Sequence, residues 1–247
     1  MKTLLISLLA LIILVLVVAA VWTVFGSVGK TGTDTSESDQ PGRQVGLPAP
    51  NLEGRESLER LISQRRSVRD YEQQPLQLEE IGQILWAAQG ITDAQTGFRT
   101  VPSAGALYPL ELFLVVGSVD SLTPAVYRYL PAQHQLEEVR PGDQRTALYE
   151  ASLEQKAIRQ APVSLLVAAV YERTTVRYGD RGKMYVHIEA GHVGQNIYLQ
   201  AGALGLATVA IGAFHDDRVK TIIGLADSEI PLYLFPIGRP IQADTAQ

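Results

Sequence analysis

Residues 186–204 read VHIEAGHVGQNIYLQAGAL, and this stretch decides how the rest of the chain assembles. Val193, Ile197, Ala201 and Leu204 recur at helical spacing, which predicts a long helix over 186–204 with a buried apolar face. The flanking segments 165–170, 208–211 and 232–237 are short β-rich runs bounded by Gly, Pro or Asp, and read as strands. A buried helix among such strands predicts a helix laid against a sheet.

Further out, 112–116 and 126–130 read as two more strands. Residues 57–62 read as a helix, as do 78–88, where Ile81, Ile84, Leu85 and Ala88 share a face. A helix is also expected over 146–159, and a short one from Asp216-Asp217 through Val219, Ile222 and Ile223 to Gly224. No period repeats along the chain, so residues 51–241 are taken as one α+β domain, with helices around a mostly antiparallel or mixed sheet.

The chain has 247 residues, with Lys plus Arg 21 against Asp plus Glu 26 and a net charge of −5. That balance argues against a nucleic-acid binder, which needs surplus cations to neutralise phosphates. Cysteine is absent, which excludes disulfides, thiolate metal sites and cysteine nucleophiles. Residues 4–25 are an almost unbroken apolar run, ~33 Å long as a helix and able to span a bilayer core. A cleaved signal peptide is the other reading, but its apolar region is usually only ~7–15 residues. Residues 1–25 are therefore expected to be a single-pass membrane anchor, with the following domain on the extracytoplasmic side. Residues 26–50 are expected to be a flexible linker and 242–247 a tail, since Val28 and Val45 are the only aliphatic side chains of 26–46. Gly29-Lys30-Thr31 is not a phosphate loop, because Val24 stands where its first glycine belongs.

Arg65-Arg66-Ser67-Val68-Arg69 sets three guanidiniums and a hydroxyl within five residues. Planar forks of this kind bind phosphate through paired charge-assisted bonds, and a solvated basic turn has the same composition. Pro102-Ser103-Ala104-Gly105-Ala106-Leu107-Tyr108-Pro109 is a small-residue loop whose backbone can approach a flat ligand, or simply turn at Gly105. Ser103 lacks the glycine-flanked elbow of a hydrolase nucleophile. His187 and His192 lie about 140° apart on a helix and form no facing metal pair, so no metal is expected. Glu189 reads as a helix-internal polar contact near His192.

These two segments, with Glu189-Ala190-Gly191-His192-x-x-Gln195-Asn196 and the ending Pro236-Ile237-Gly238-Arg239, together resemble the nitroreductase superfamily, and more narrowly its SagB/ThcOx-type dehydrogenase branch. The resemblance runs from about residue 57 to 240. It implies a nitroreductase-like fold and an FMN-dependent oxidoreductase, homodimeric, with the flavin at the subunit interface. Arg65, Arg66, Ser67 and Arg69 are implied to hold the ribityl phosphate and part of the ring, with Gly238-Arg239 closing from the C-terminal end. Pro102, Ser103, Ala104, Gly105 and Ala106 are implied to come from the other subunit and line the ring. Ile211, Gly212 and Ala213 are implied to face its reactive N5 side, and Gln155 its uracil edge. Ala106 stands where many relatives carry Asn, and Ala213 where many carry Gly. Arg177-Tyr178 matches the Lys-Tyr pair of azoline-forming members. Arginine cannot act there as a base, because guanidinium stays protonated. The implied activity is hydride transfer through FMN between a reductant such as NAD(P)H and an organic acceptor. The alternatives are substrate dehydrogenation with electrons passing to oxygen or a carrier, and a non-catalytic tethered binding or maturation partner.

Overall fold

The computed structural model describes residues 42–241; the expected membrane-spanning run, the linker up to residue 41 and the tail 242–247 lie outside them. Among the described residues, no helix is long and apolar enough to cross a membrane. In chain order the elements are β1 (Gln44–Gly46), α1 (Leu58–Gln64), α2 (Leu78–Gln89), β2 (Ile91–Asp93), β3 (Phe98–Arg99) and a 3-10 turn (Ala104–Ala106). Then come β4 (Leu110–Val116), β5 (Ala125–Leu130), β6 (Gln135–Pro141), α3 (Arg145–Ala151), α4 (Lys156–Gln160) and β7 (Val163–Ala169). The remainder is α5 (Glu172–Tyr178), α6 (Arg181–Ala203), β8 (Ala207–Thr208), α7 (Asp216–Ile223) and β9 (Ile230–Gly238).

Seven strands form an antiparallel sheet in the order β1-β6-β5-β4-β7-β9-β8. Side chains alternate across a strand, and here both faces are covered. Leu110, Leu112, Leu114 and Val116 of β4, with Val163, Leu165 and Val167 of β7, meet α2 and the Val186, Val193, Ile197 and Ala201 stripe of α6. Phe113, Val115, Leu166 and Ala168 point the other way, onto Leu148, Ile158, Val219 and Ile223 of α3, α4 and α7. Central strands buried on both faces therefore read as continuous apolar runs.

The structure departs from the sequence reading at several places. The helix expected over 146–159 is broken between α3 and α4, where Leu153 and Glu154 both take φ near 54°. Two successive left-handed non-glycine residues have no compositional signature. Strands β1, β2, β3 and β6 and helix α5 were not expected. Finally, residues 42–50 are not linker: Val45 pairs with Leu136 and packs on the main core, and Asn51 N–H donates to Gln83 Oε1 at 2.8 Å. A short polar segment gains order here from a neighbouring strand edge rather than from its own burial.

Gly194 brings α6 onto the sheet: a Cβ there would stand 3.0 Å from Phe235 Cζ. Gly194→Val is expected to lower stability by about 1–3 kcal/mol through overpacking, despite the gain in helix propensity. Urea unfolding measures this, and an unchanged midpoint would contradict the contact.

Candidate functional site

The arginine segment follows α1 as an extended loop whose backbone is fastened to the sheet. Val68 N–H donates to Thr208 O at 3.0 Å, and Glu72 N–H to Arg239 O at 2.9 Å. Tyr71, 2% exposed, donates its hydroxyl to Val68 O at 2.7 Å and Pro236 O at 3.0 Å. Burial pushes the Tyr71 phenol well above its usual range, so it stays a donor. The guanidiniums differ in setting. Arg65 lies over the Tyr198 ring at 5.0 Å, Arg66 donates to the carbonyls of Ser63 and Arg65, and Arg69 is exposed. Among the described residues none of the three pairs with a carboxylate, unlike Arg128, Arg145, Arg173 and Arg239.

Tyr198, on α6, joins this loop to the second predicted segment. Its hydroxyl bonds Ser67 Oγ at 2.9 Å and accepts from Ala210 N–H at 2.8 Å. Ile211 is buried and backbone-bonded to Leu234 in both directions, while Gly212 and Ala213 are exposed. Gln155 donates to Ala213 O at 2.9 Å, so the residue assigned to the uracil edge meets the segment assigned to N5. The left-handed Leu153 and Glu154 immediately precede Gln155. Strain of ~1–2 kcal/mol per residue, held at the entrance to a predicted ligand-binding residue, is the usual company of a functional loop. Thus Arg65 and Ser67 meet at Tyr198, whose hydroxyl reaches Ala210, and the 211–213 segment that follows is bonded to Gln155.

The loop over 102–108 lies elsewhere. Gly105, Ala106 and Tyr108 all have positive φ, 62°, 54° and 45°. Ser103 Oγ accepts from Tyr108 N–H at 2.9 Å, which closes the turn. A Cβ on Gly105 would meet Arg177 Nη1 and Tyr178 Oη, each at 2.8 Å, so that pair converges on this loop. Glu189, 2% exposed on α6, lies beneath it, and accepts from Gln89 at 3.3 Å rather than from His192. Glu189 and Tyr198 are nine residues apart on α6, or ~13 Å along the axis. Within one chain, the arginine surface and the small-residue loop meet the same helix at points nine residues apart.

Two predicted positions take other roles. Gly238 is buried against Tyr71, where a Cβ would stand 3.0 Å from the Tyr71 Cβ, so its smallness serves packing. Arg239 lies beside the arginine loop through its backbone, but its guanidinium donates to Glu80 Oε1 at 2.9 Å. Tyr171 and His187 form a pair missed in the sequence: the phenol bonds His187 Nε2 at 2.5 Å, with the rings edge to face. Burial, with Asp216 nearby, raises the Tyr171 phenol. A separate groove of about 910 Å³, lined by Leu52, Leu58, Leu61, Trp86, Asn196 and Leu204 among others, includes none of the predicted site residues.

Comparison with known proteins agrees with this geometry. Residues 62–239 match the nitroreductase family model. A protein of Methanocaldococcus jannaschii assigned as a nitroreductase is 46% identical over 201 residues, which is 81% of this chain and 100% of that one. The microcin B17-processing protein of Escherichia coli is 27% identical over 155 residues, 61% of this chain; the match spans 57% of that relative's length. A crystal structure from Ralstonia eutropha, also assigned as a nitroreductase, superposes with a TM-score of 0.72 at 27% identity, over 83% of this chain and 95% of that one. The fold, the matched span and the archaeal relative together establish that this chain belongs to the nitroreductase family and is an oxidoreductase.

Proposed function

We propose that the chain is an FMN-dependent oxidoreductase, acting as a homodimer and passing a hydride between a reductant such as NAD(P)H and an electron-poor organic acceptor. The observation that carries this reading is the fastened arginine loop, whose guanidiniums lack carboxylate partners among the described residues, with Arg65 over the Tyr198 ring and the Tyr198 hydroxyl bonded to Ser67 and to the Ala210 N–H that precedes the 211–213 segment. Such a donor set suits a phosphate dianion joined to a flat heteroaromatic ring. When bound, the flavin supplies hydride acceptance and donation. Arg65, Arg66 and Arg69 would hold its phosphate, with Ser67 beside them. Gln155 and the 211–213 backbone would orient the ring and cover one edge against water.

Support for the dimer comes from two features. Helix α1 has no buried residue, with Leu58 and Ile62 56% and 54% exposed. The two predicted halves of the site also meet α6 at separate points, nine residues apart, and a second copy would bring the 102–106 loop over the first copy's arginine surface. The relation to the microcin-processing protein favours a second reading, substrate dehydrogenation. Arg177 counts against it, since it reaches Gly105 where a base would be needed and a guanidinium holds its proton. We further place the domain outside the cytoplasmic membrane, tethered through residues 4–25.

The purified full chain in detergent is expected to show flavin absorbance that bleaches anaerobically with NAD(P)H. A colourless protein indifferent to added FMN would overturn the proposal. Arg65→Ala with Arg69→Ala is expected to weaken FMN binding by on the order of 10²–10⁴-fold, since each charge-assisted bond contributes about 1.5–3 kcal/mol. Arg239→Ala, whose guanidinium Glu80 already engages, should weaken it less; flavin titration ranks the two. The full chain is expected to resist alkaline extraction from membranes, and recovery in the soluble fraction would refute the tether.

A further inference from the structure

The loop over 102–108 holds left-handed residues at three positions, two of them not glycine. Something outside the loop must keep it in that shape. Its polar contacts lead to one place. Tyr108 N–H donates to Ser103 Oγ at 2.9 Å, which leaves the Ser103 hydroxyl hydrogen to the Glu189 carboxylate it faces. Gln89, fully buried, donates to Glu189 Oε1 at 3.3 Å and accepts from Arg99 Nη1 at 2.9 Å. Arg99 in turn lies over the Tyr108 ring at 4.5 Å, and its N–H donates to Tyr108 Oη at 3.2 Å. The path therefore closes on itself: Glu189, Ser103, Tyr108, Arg99, Gln89 and back to Glu189. Two helices, α2 and α6, form its floor.

We propose that Glu189 is a positioning residue for this loop, its buried carboxylate accepting from Ser103 and Gln89 so that the strained turn is held in the shape that lines the ligand. The consequence for flavin rests on the reading given under Proposed function; the effect on the loop does not. Titratable and charged groups face the site from each neighbouring element: Arg99 from β3 beside Glu189, and around Arg99 the side chains of Tyr108, Glu111 on β4 and Arg173 on α5. Burial raises the Glu189 carboxyl above its ordinary value, and Ser103, Gln89 and Arg99 oppose that rise. The folded chain then binds this proton more tightly than the unfolded one. Stability falls as pH climbs from the ordinary glutamate range through the raised value, and is level above it.

The test is amide hydrogen exchange on the full chain in detergent, with FMN titrated in parallel. Glu189→Met removes the acceptor at similar volume, whereas Glu189→Gln keeps one. Glu189→Met is expected to speed exchange at the 103–108 amides, Tyr108 above all, by about tenfold or more, and Glu189→Gln to leave it near wild type. Unchanged exchange in Glu189→Met, or equal effects of the two substitutions, would overturn the proposal. Should Glu189→Met not fold, a double-mutant cycle of Glu189→Gln with Ser103→Ala reads the same coupling at the loop amides. Non-additive effects support it and additive ones refute it. A loosened loop with weaker FMN binding supports both readings. A loosened loop with unaltered FMN binding leaves Glu189 in its role and removes the loop from the flavin site. The melting temperature of wild type relative to Glu189→Gln is expected to decline with rising pH across the window above; a constant difference would contradict a buried carboxyl beneath the loop.

Discussion

The packing of α6 against the sheet is the constraint on which the rest depends. Gly194 lets the helix approach Phe235, and Val186, Val193, Ile197 and Ala201 complete the contact with β4, β7 and β9. A helix so fixed delivers two polar side chains to defined places. Tyr198 meets the arginine loop and the backbone after β8, and Glu189 meets the small-residue loop before β4. Moving α6 would disturb both contacts together, whereas a mutation at one contact need not reach the other.

Four of the six left-handed non-glycine residues among the described ones follow the same division, and Ser121 and His134 stand in turns elsewhere. Left-handed non-glycine residues stand at Ala106 and Tyr108 in one loop and at Leu153 and Glu154 before Gln155 in the other. Both strained segments carry residues matched to flavin contacts, and each is held by named bonds: Ser103 with Tyr108, and Gln155 with Ala213. Such bonds keep a conformation that the backbone alone disfavours.

Much of this was legible in the residues. Strands buried on both faces announced themselves as apolar runs, and α2, α6 and α7 by their periodic faces, with only their ends misjudged by a few residues. The arginines, the serine and the glycine-containing loop were visible because charge clusters and small residues are local signals. What escaped was non-local. Strand β1 exists because β6 offers it an edge, and the break at Leu153 and Glu154 has no glycine to mark it. Tyr198 carries no motif of its own, and its position between Ser67 and Ala210 depends on residues 131 and 12 positions away. Glu189 was assigned to its sequence neighbour His192, yet its partners come from α2 and from the loop above.

The central claim is that the arginine loop of one copy and the 102–106 loop of another complete a single flavin site. Mixed dimers test it most directly. A chain carrying Arg65→Ala and Arg69→Ala is co-expressed with a chain carrying Gly105→Val, the two bearing different affinity tags so that heterodimers can be isolated. If the halves meet across the interface, one of the two sites in each heterodimer is intact, and the account predicts FMN at half the wild-type stoichiometry. If each site were built within one chain, both would be damaged, and heterodimers as empty as the two parent homodimers would contradict the account.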